Sequence, residues 1–142
     1  MIIRKSWALW EGSIKAGKGR MEIGTGKIKL EYSFSSRFEN GNGTNPEELI
    51  GAAHAGCFSM ALSGILGEAG FTPETIQTTA QVGMEKTEKG FKITMIKLIT
   101  EAKIPGINND DFQKYALTAK NGCPVSIALS AVPSIELEAK LM

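Results

Sequence analysis

The stretch "NPEELIGAAHAGCFSMALSGILGEAGF", Asn45 to Phe71, decides how this chain is read. Its opening residues are helix-start signals. Asn45 can cap free N–H groups, and Pro46 fits a first helical position, where no N–H is needed. Glu47 and Glu48 suit the positive end of the helix dipole. Gly70 marks the stop, because glycine accepts the left-handed conformation that ends helices. The spacing therefore predicts one long helix, to about Ala69. A rotation of ~100° per residue puts Leu49, Ala53, Cys57 or Met60, and Gly64 along one side. Gly51, Ala52, Ala55, Gly56, Ala61, Ser63 and Gly67 are small as well. Each glycine inside a helix costs roughly 1 kcal/mol against alanine. A helix built this way lets another backbone come close, either within the chain or from the same helix of a partner subunit.

Working outward, the first forty residues read as strands. "KIKLEY" places Ile28, Leu30 and Tyr32 on one face and Lys27, Lys29 and Glu31 on the other. The "GTG" before it predicts a hairpin turn, and "NGNGT", Asn40 to Thr44, a loop. After the long helix, Ile76, Ala80, Val82 and Met84 share one face of a strand. "FKITMIKLIT" forms the next, with a change of phase that predicts a bulge near Met95. A second helix is expected from about Asn109 to Asn121, with Phe112, Tyr115, Ala116 and Ala119 on one face. Pro124 opens a short helix to about Leu129. A last strand alternates Ile135, Leu137, Ala139 and Leu141 with Glu136, Glu138 and Lys140.

This order predicts an α+β fold, with a long central helix on an antiparallel sheet. The 142 residues, 42% hydrophobic and 22% charged, suit a single domain, 1–142. The net charge of +1, with both signs spread throughout, gives no nucleic-acid stripe and no polybasic membrane arm. "MIIRKSWALWEG" does not read as a signal peptide, because its apolar run is short and broken. No apolar segment is expected to reach the ~20 residues that span a bilayer. The expected location is cytoplasmic, with neither nucleic acid nor membrane as partner.

Two cysteines in such a chain argue against a permanent disulfide. Two Cys and one His, with no C-x-x-C, are too few for a closed zinc site. No glycine-rich nucleotide motif appears, so no nucleotide cofactor is indicated. Cys57 on the long helix is expected to be partly enclosed, and free cysteine is often simply a small buried hydrophobe. Cys123 sits just before Pro124, next to a helix N-terminus, where the dipole favours thiolate. It could equally be an ordinary capping residue. His54 lies one turn before Cys57. A Cys57/His54 nucleophile is one reading, but residues three apart on a helix meet poorly and no orienting carboxylate is evident, so His54 reads better as a packed or hydrogen-bonding histidine.

The stretch Arg37 to Pro73, "RFENGNGTNPEELIGAAHAGCFSMALSGILGEAGFTP", resembles the osmotically inducible protein C (OsmC) family, grouped with the organic hydroperoxide resistance (Ohr) proteins. The resemblance extends to Trp10-Glu11-Gly12, to Gly17–Gly19, to Ile104–Ile107 and to "GCPVS", Gly122 to Ser126, and so covers nearly the whole chain. It implies an OsmC-like fold, an intertwined homodimer and a thiol peroxidase of organic hydroperoxides. By motif position Cys57 resembles the peroxidatic thiol and Cys123 the resolving thiol. Arg37 resembles the activating arginine, and Glu47 the carboxylate paired with it. The resemblance implies an outside dithiol, of the dihydrolipoamide type, as reductant. It requires neither metal nor flavin. Phe38, Phe58 and Met60 are expected to make the surroundings apolar. Glu47 and Cys57 lie ten residues apart on one helix, ~15 Å along its axis, so their side chains cannot meet. Support for Cys57 from Glu47 is then expected to come from a second chain. A non-catalytic dimeric stress protein with two inert thiols is the remaining alternative.

Overall fold

Alternation in the first third of the chain becomes a three-stranded antiparallel meander in the computed structural model, which describes all 142 residues. The strands are β1 (Ser6–Glu11), β2 (Lys18–Ile23) and β3 (Ile28–Tyr32), in that order across the sheet. Gly24 and Gly26, at φ +69° and +77°, supply the left-handed residues of the β2–β3 turn, where the "GTG" was expected to act. Gly19 stands opposite both Trp10 and Tyr32, whose rings are 5.4 Å apart. A Cβ at Gly19 would meet the Tyr32 ring and lie 2.8 Å from the Trp10 ring, so only glycine lets the two aromatics close over this point.

The expectation of strands throughout this region is corrected at Phe34–Phe38, a short helix α1. It begins with a capping box. The Ser36 N–H donates to Ser33 Oγ at 3.1 Å, and the Ser33 N–H donates to Ser36 Oγ at 2.9 Å. Five residues are too few to show helical periodicity in sequence. The Ser36 hydroxyl donates onward to the Thr44 carbonyl, and Asn45 Nδ2 to the Ser36 carbonyl. These bonds tie α1 to the loop that leads into the long helix. Met1–Leu49 form one compact unit and Ile50–Met142 a second.

The long helix α2 runs Pro46–Glu68, starting at the end of the first unit. Its start is as the sequence dictates: the Glu48 N–H donates to Asn45 Oδ1 at 2.9 Å. Its end is closed by Phe71 N–H to the Leu66 carbonyl, with Gly70 at φ +88°.

In the second unit α2 lies on a three-stranded sheet, ordered β4 (Thr75–Thr87), β5 (Gly90–Lys103) and β6 (Ser134–Leu141). The pairing of β4 with β5 is antiparallel. Its register slips between Gly83 and Met84, opposite Met95 and Ile93, which is the bulge expected near Met95. The β5–β6 pairing is parallel, which corrects the purely antiparallel sheet expected from sequence. The reason is the connection. Residues 104–133 carry α3 (Asn109–Gly122) and α4 (Pro124–Ala128), a crossover long enough to return the chain to the starting end of the sheet.

The core of this unit joins Phe58, Leu62 and Leu66 of α2 to Leu98 and Ala102 of β5 and to Phe112, Ala116 and Ala119 of α3. A polar line crosses from helix to sheet: Ser59 to Thr78 at 2.7 Å, then Thr78 to Thr100 at 2.9 Å. It ends on the Gln77 carbonyl, so Thr100 is buried without an unmet hydroxyl.

The opposite face of α2 is different. Met60 is 80% exposed, and a Cβ added at Gly56, Gly64 or Gly67 would meet nothing within 4 Å. Of the helical glycines only Gly51 packs within the chain, against Ala80 and Val82. Gly56, Gly64 and Gly67 therefore do not serve close packing inside one chain, whereas Gly51 and Ala61 do. One expectation is revised here. By length and composition α2 is apolar enough to cross a membrane, although its apolar residues are shared between a core face and an open face.

Candidate active site

The α2 helix and the α3–α4 junction bring the two cysteines together. Cys57 is half-buried on α2, and Cys123 is fully buried at the head of α4. Both thiols are free, their side chains are within hydrogen-bonding reach, and the pair stands near disulfide distance. Sequence placed these residues on separate helices; the crossover through α3 is what closes the distance.

Burial pushes the Cys57 thiol above its ordinary pKa. The backbone N–H of Val125 pulls it back, and the Cys123 side chain pushes it up again. The net direction is toward the protonated thiol, the less nucleophilic form. Within this unit, then, Cys57 has a partner thiol and surroundings that favour its protonated form.

Cys123 is the N-cap of α4: the Ser126 N–H donates to its sulfur at 3.3 Å. The capping reading of Cys123 thus describes its local geometry, and that geometry also aims it. Pro124 at the first helical position fixes the turn. The Cys123 thiol donates in turn to Ser126 Oγ at 3.1 Å. Ser126 Oγ lies 2.7 Å from His54 Nε2. His54 is wholly buried, and burial lowers its pKa, so the ring is neutral at pH 7. Its Nδ1 has no hydrogen-bond partner. An unmet buried polar atom of this kind costs roughly 1–3 kcal/mol.

The ring nitrogen of His54 thus serves Ser126, which counts against the Cys57/His54 nucleophile considered from sequence. Ser126 was not singled out there. Its sequence signals are its place at the end of "GCPVS" and its spacing three residues after the capping Cys123, which lets an N-cap and a third helical residue bond each other.

In the first unit, Arg37 and Glu47 form a two-toothed ion pair. Arg37 Nη2 lies 2.7 Å from Glu47 Oε1, and Nε lies 3.2 Å from Oε2. The Glu47 side chain is 11% exposed and that of Arg37 37%, so the carboxylate is held inside and the guanidinium keeps an open edge. The capped α1 helix presents Arg37 from its last turn, and the Asn45 cap presents Glu47 from the first turn of α2. The Arg37 guanidinium also stacks 5.3 Å from the Phe38 ring centre.

Beside Arg37 is a mainly apolar pocket of about 380 Å³, walled by Trp10, Ile14, Tyr32, Phe34 and Phe38. Of the three apolar residues expected around the site, Phe38 lines this pocket. Phe58 is instead wholly buried in the core, and Met60 faces out on the open side of α2. The reason is helix phase: Phe58 points with His54 and Leu62 into the sheet, and Met60 points away from it.

A paired thiol near disulfide distance, set in an α+β fold with a long central helix, defines a thiol redox protein. The family described as OsmC-like protein matches residues 39–138. Across 140 residues, 98% of both chains, the sequence is 51% identical to the peroxiredoxin OsmC of Escherichia coli K12. It is 30% identical over 103 residues, 70% of both chains, to the organic hydroperoxide resistance protein-like 2 of Staphylococcus epidermidis. The fold superposes on the crystal structure of an organic hydroperoxide resistance protein from Legionella pneumophila. There the TM-score is 0.73 and the identity 25%, covering 99% of this chain and 98% of that one. The chain belongs to the OsmC/Ohr family.

Proposed function

We infer that this protein is a thiol-dependent peroxidase that reduces organic hydroperoxides through Cys57 and Cys123. The observation that carries this reading is the free thiol pair near disulfide distance, in a chain half identical to a peroxiredoxin. The Cys57 thiolate attacks the O–O bond, releasing an alcohol and leaving a sulfenic acid. Cys123 then attacks the Cys57 sulfur, water leaves, and a disulfide remains. An outside dithiol, of the dihydrolipoamide class, restores both thiols by exchange. As written, the cycle calls on no metal or flavin.

Arg37 supplies what the Cys57 environment lacks. A guanidinium beside the sulfur favours thiolate, and its N–H groups hold the peroxide oxygens. Glu47 aims it. Since Glu47 and Cys57 cannot meet along one helix, the Arg37–Glu47 pair serves the partner subunit's Cys57 in an intertwined homodimer. The open small-residue face of α2 supports this reading, because Gly56, Gly64 and Gly67 leave room for a second helix. Sedimentation should give a dimer; a monomer at micromolar concentration would remove this part of the account. The two compact units then act as one OsmC-like domain, completed by a second copy.

The apolar pocket next to Arg37 fits the organic part of a hydroperoxide. Hydrogen peroxide gains nothing from such walls. The kcat/KM for cumene hydroperoxide should exceed that for hydrogen peroxide by at least about tenfold. Equal or reversed values would take the organic substrate class out of the reading.

A further inference from the structure

Three buried side chains stand in line behind the resolving position. The Cys123 thiol donates to Ser126 Oγ, and Ser126 Oγ reaches His54 Nε2. All three are buried: His54 and Cys123 are 0% exposed and Ser126 is 7% exposed. The peroxidase cycle described above uses neither His54 nor Ser126. Yet a histidine kept only for packing normally has both ring nitrogens satisfied. In this one Nδ1 is buried and unpartnered. Nothing fixes the tautomer, so Nε2 can act as acceptor or as donor toward Ser126.

We propose that His54, acting through Ser126, draws the proton from the Cys123 thiol as Cys123 attacks the Cys57 sulfenic acid. This inference rests on the peroxidase reading and deepens it. The Cys123 S–H bond breaks, its proton passes to Ser126 Oγ, and the Ser126 hydroxyl proton passes to His54 Nε2. The Cys123 sulfur gives the electron pair that forms the S–S bond. The S–O bond of Cys57 breaks, and the hydroxide leaves on the side of Cys57 away from Cys123. It takes a proton from solvent to become water, while His54 later releases its proton to solvent, so the protons balance. The sum is one sulfenic acid and one thiol giving one disulfide and one water, with no further reactant.

The geometry fits both ends of this step. Before transfer the donors run from Cys123 to Ser126 to His54. After it they run back, with His54 N–H on Ser126 and Ser126 O–H on the sulfur. The Ser126 backbone N–H, 3.3 Å from the sulfur, holds Cys123 in place throughout. Burial keeps the imidazole unprotonated at rest, and by disfavouring the charged ring it also favours release of the proton once the disulfide has formed. His54 is a positioning residue in this scheme; Ser126 is the group in contact with a reacting atom.

The test separates the two oxidation steps. Reduced protein is mixed with one equivalent of cumene hydroperoxide without dithiol, quenched at intervals, alkylated and weighed intact by mass spectrometry. Ser126→Ala and His54→Gln should each slow conversion of sulfenic acid to disulfide by at least about tenfold. With excess peroxide both should accumulate Cys57 sulfinic acid. Ser126→Thr keeps the hydroxyl and should stay within about threefold of wild type. Glutamine at 54 can bond Ser126 but cannot carry a proton, so its failure to rescue distinguishes a relay from a hydrogen bond. Disulfide formation at the wild-type rate in Ser126→Ala, or in folded His54→Gln, overturns the relay and leaves the peroxidase reading standing. If His54→Gln does not fold, Ser126→Ala against Ser126→Thr decides. A wild type that forms sulfenic acid and never a disulfide removes the resolving role of Cys123, and the relay with it.

Discussion

Cys57→Ser should stop hydroperoxide reduction. With excess dithiol, consumption of cumene hydroperoxide is expected to fall by on the order of 10³-fold or more, to the rate of the dithiol alone. The argument is chemical. A serine hydroxyl is not a thiolate and has no sulfenic acid state, so neither step of the cycle can start. The fold should not suffer. Cys57 is half-buried at the edge of the core, and serine differs from it by one atom. A circular dichroism spectrum and melt like those of wild type would locate the loss in the chemistry. Retained turnover in a folded Cys57→Ser would place the reactive group elsewhere and return Cys57 to packing.

Arg37→Ala should lower kcat/KM for cumene hydroperoxide by roughly 10²–10³-fold at pH 7. Burial raises the Cys57 pKa, so a nearby guanidinium has most to contribute at neutral pH. The sign of the pH effect follows. A thiol with a raised pKa gains thiolate as pH rises, with or without the arginine. The deficit of Arg37→Ala should therefore shrink between pH 7 and pH 10, while that of Cys57→Ser should not. Arg37→Lys keeps the charge but loses the two-toothed grip on Glu47, and should fall between alanine and wild type. Stopped-flow rates across this range check all three. A pH profile of Arg37→Ala parallel to wild type would show that the arginine does not act on thiol ionisation.

Much of this was legible in the sequence, for identifiable reasons. Asn45, Pro46 and Gly70 fix the ends of α2 by local chemistry that no tertiary contact overrides. Alternation set β6, and the phase change near Met95 announced its bulge. Two features were hidden from local pattern. The α1 helix has five residues, too few for periodicity, although its last turn carries Arg37. The parallel pairing of β6 depends on where the crossover delivers the chain, and local pattern is silent on that. At the site, the two cysteines were legible from helix position and family likeness, but their closeness was not. Ser126 was missed because its place in "GCPVS" and its spacing from the capping Cys123 suggest a local cap and do not point to His54, 72 residues away. His54 is packed and hydrogen-bonded, as its place on the helix suggested, but that its partner is Ser126 was not legible.

The most direct test of the Cys57–Cys123 cycle is the oxidation state of both cysteines after one turnover. Reduced protein receives one equivalent of cumene hydroperoxide, and peptide mapping follows alkylation. The account predicts loss of both thiols and one disulfide joining the Cys57 and Cys123 peptides within a single chain. Both cysteines recovered as free thiols, or an oxidised Cys57 beside a free Cys123, would contradict it.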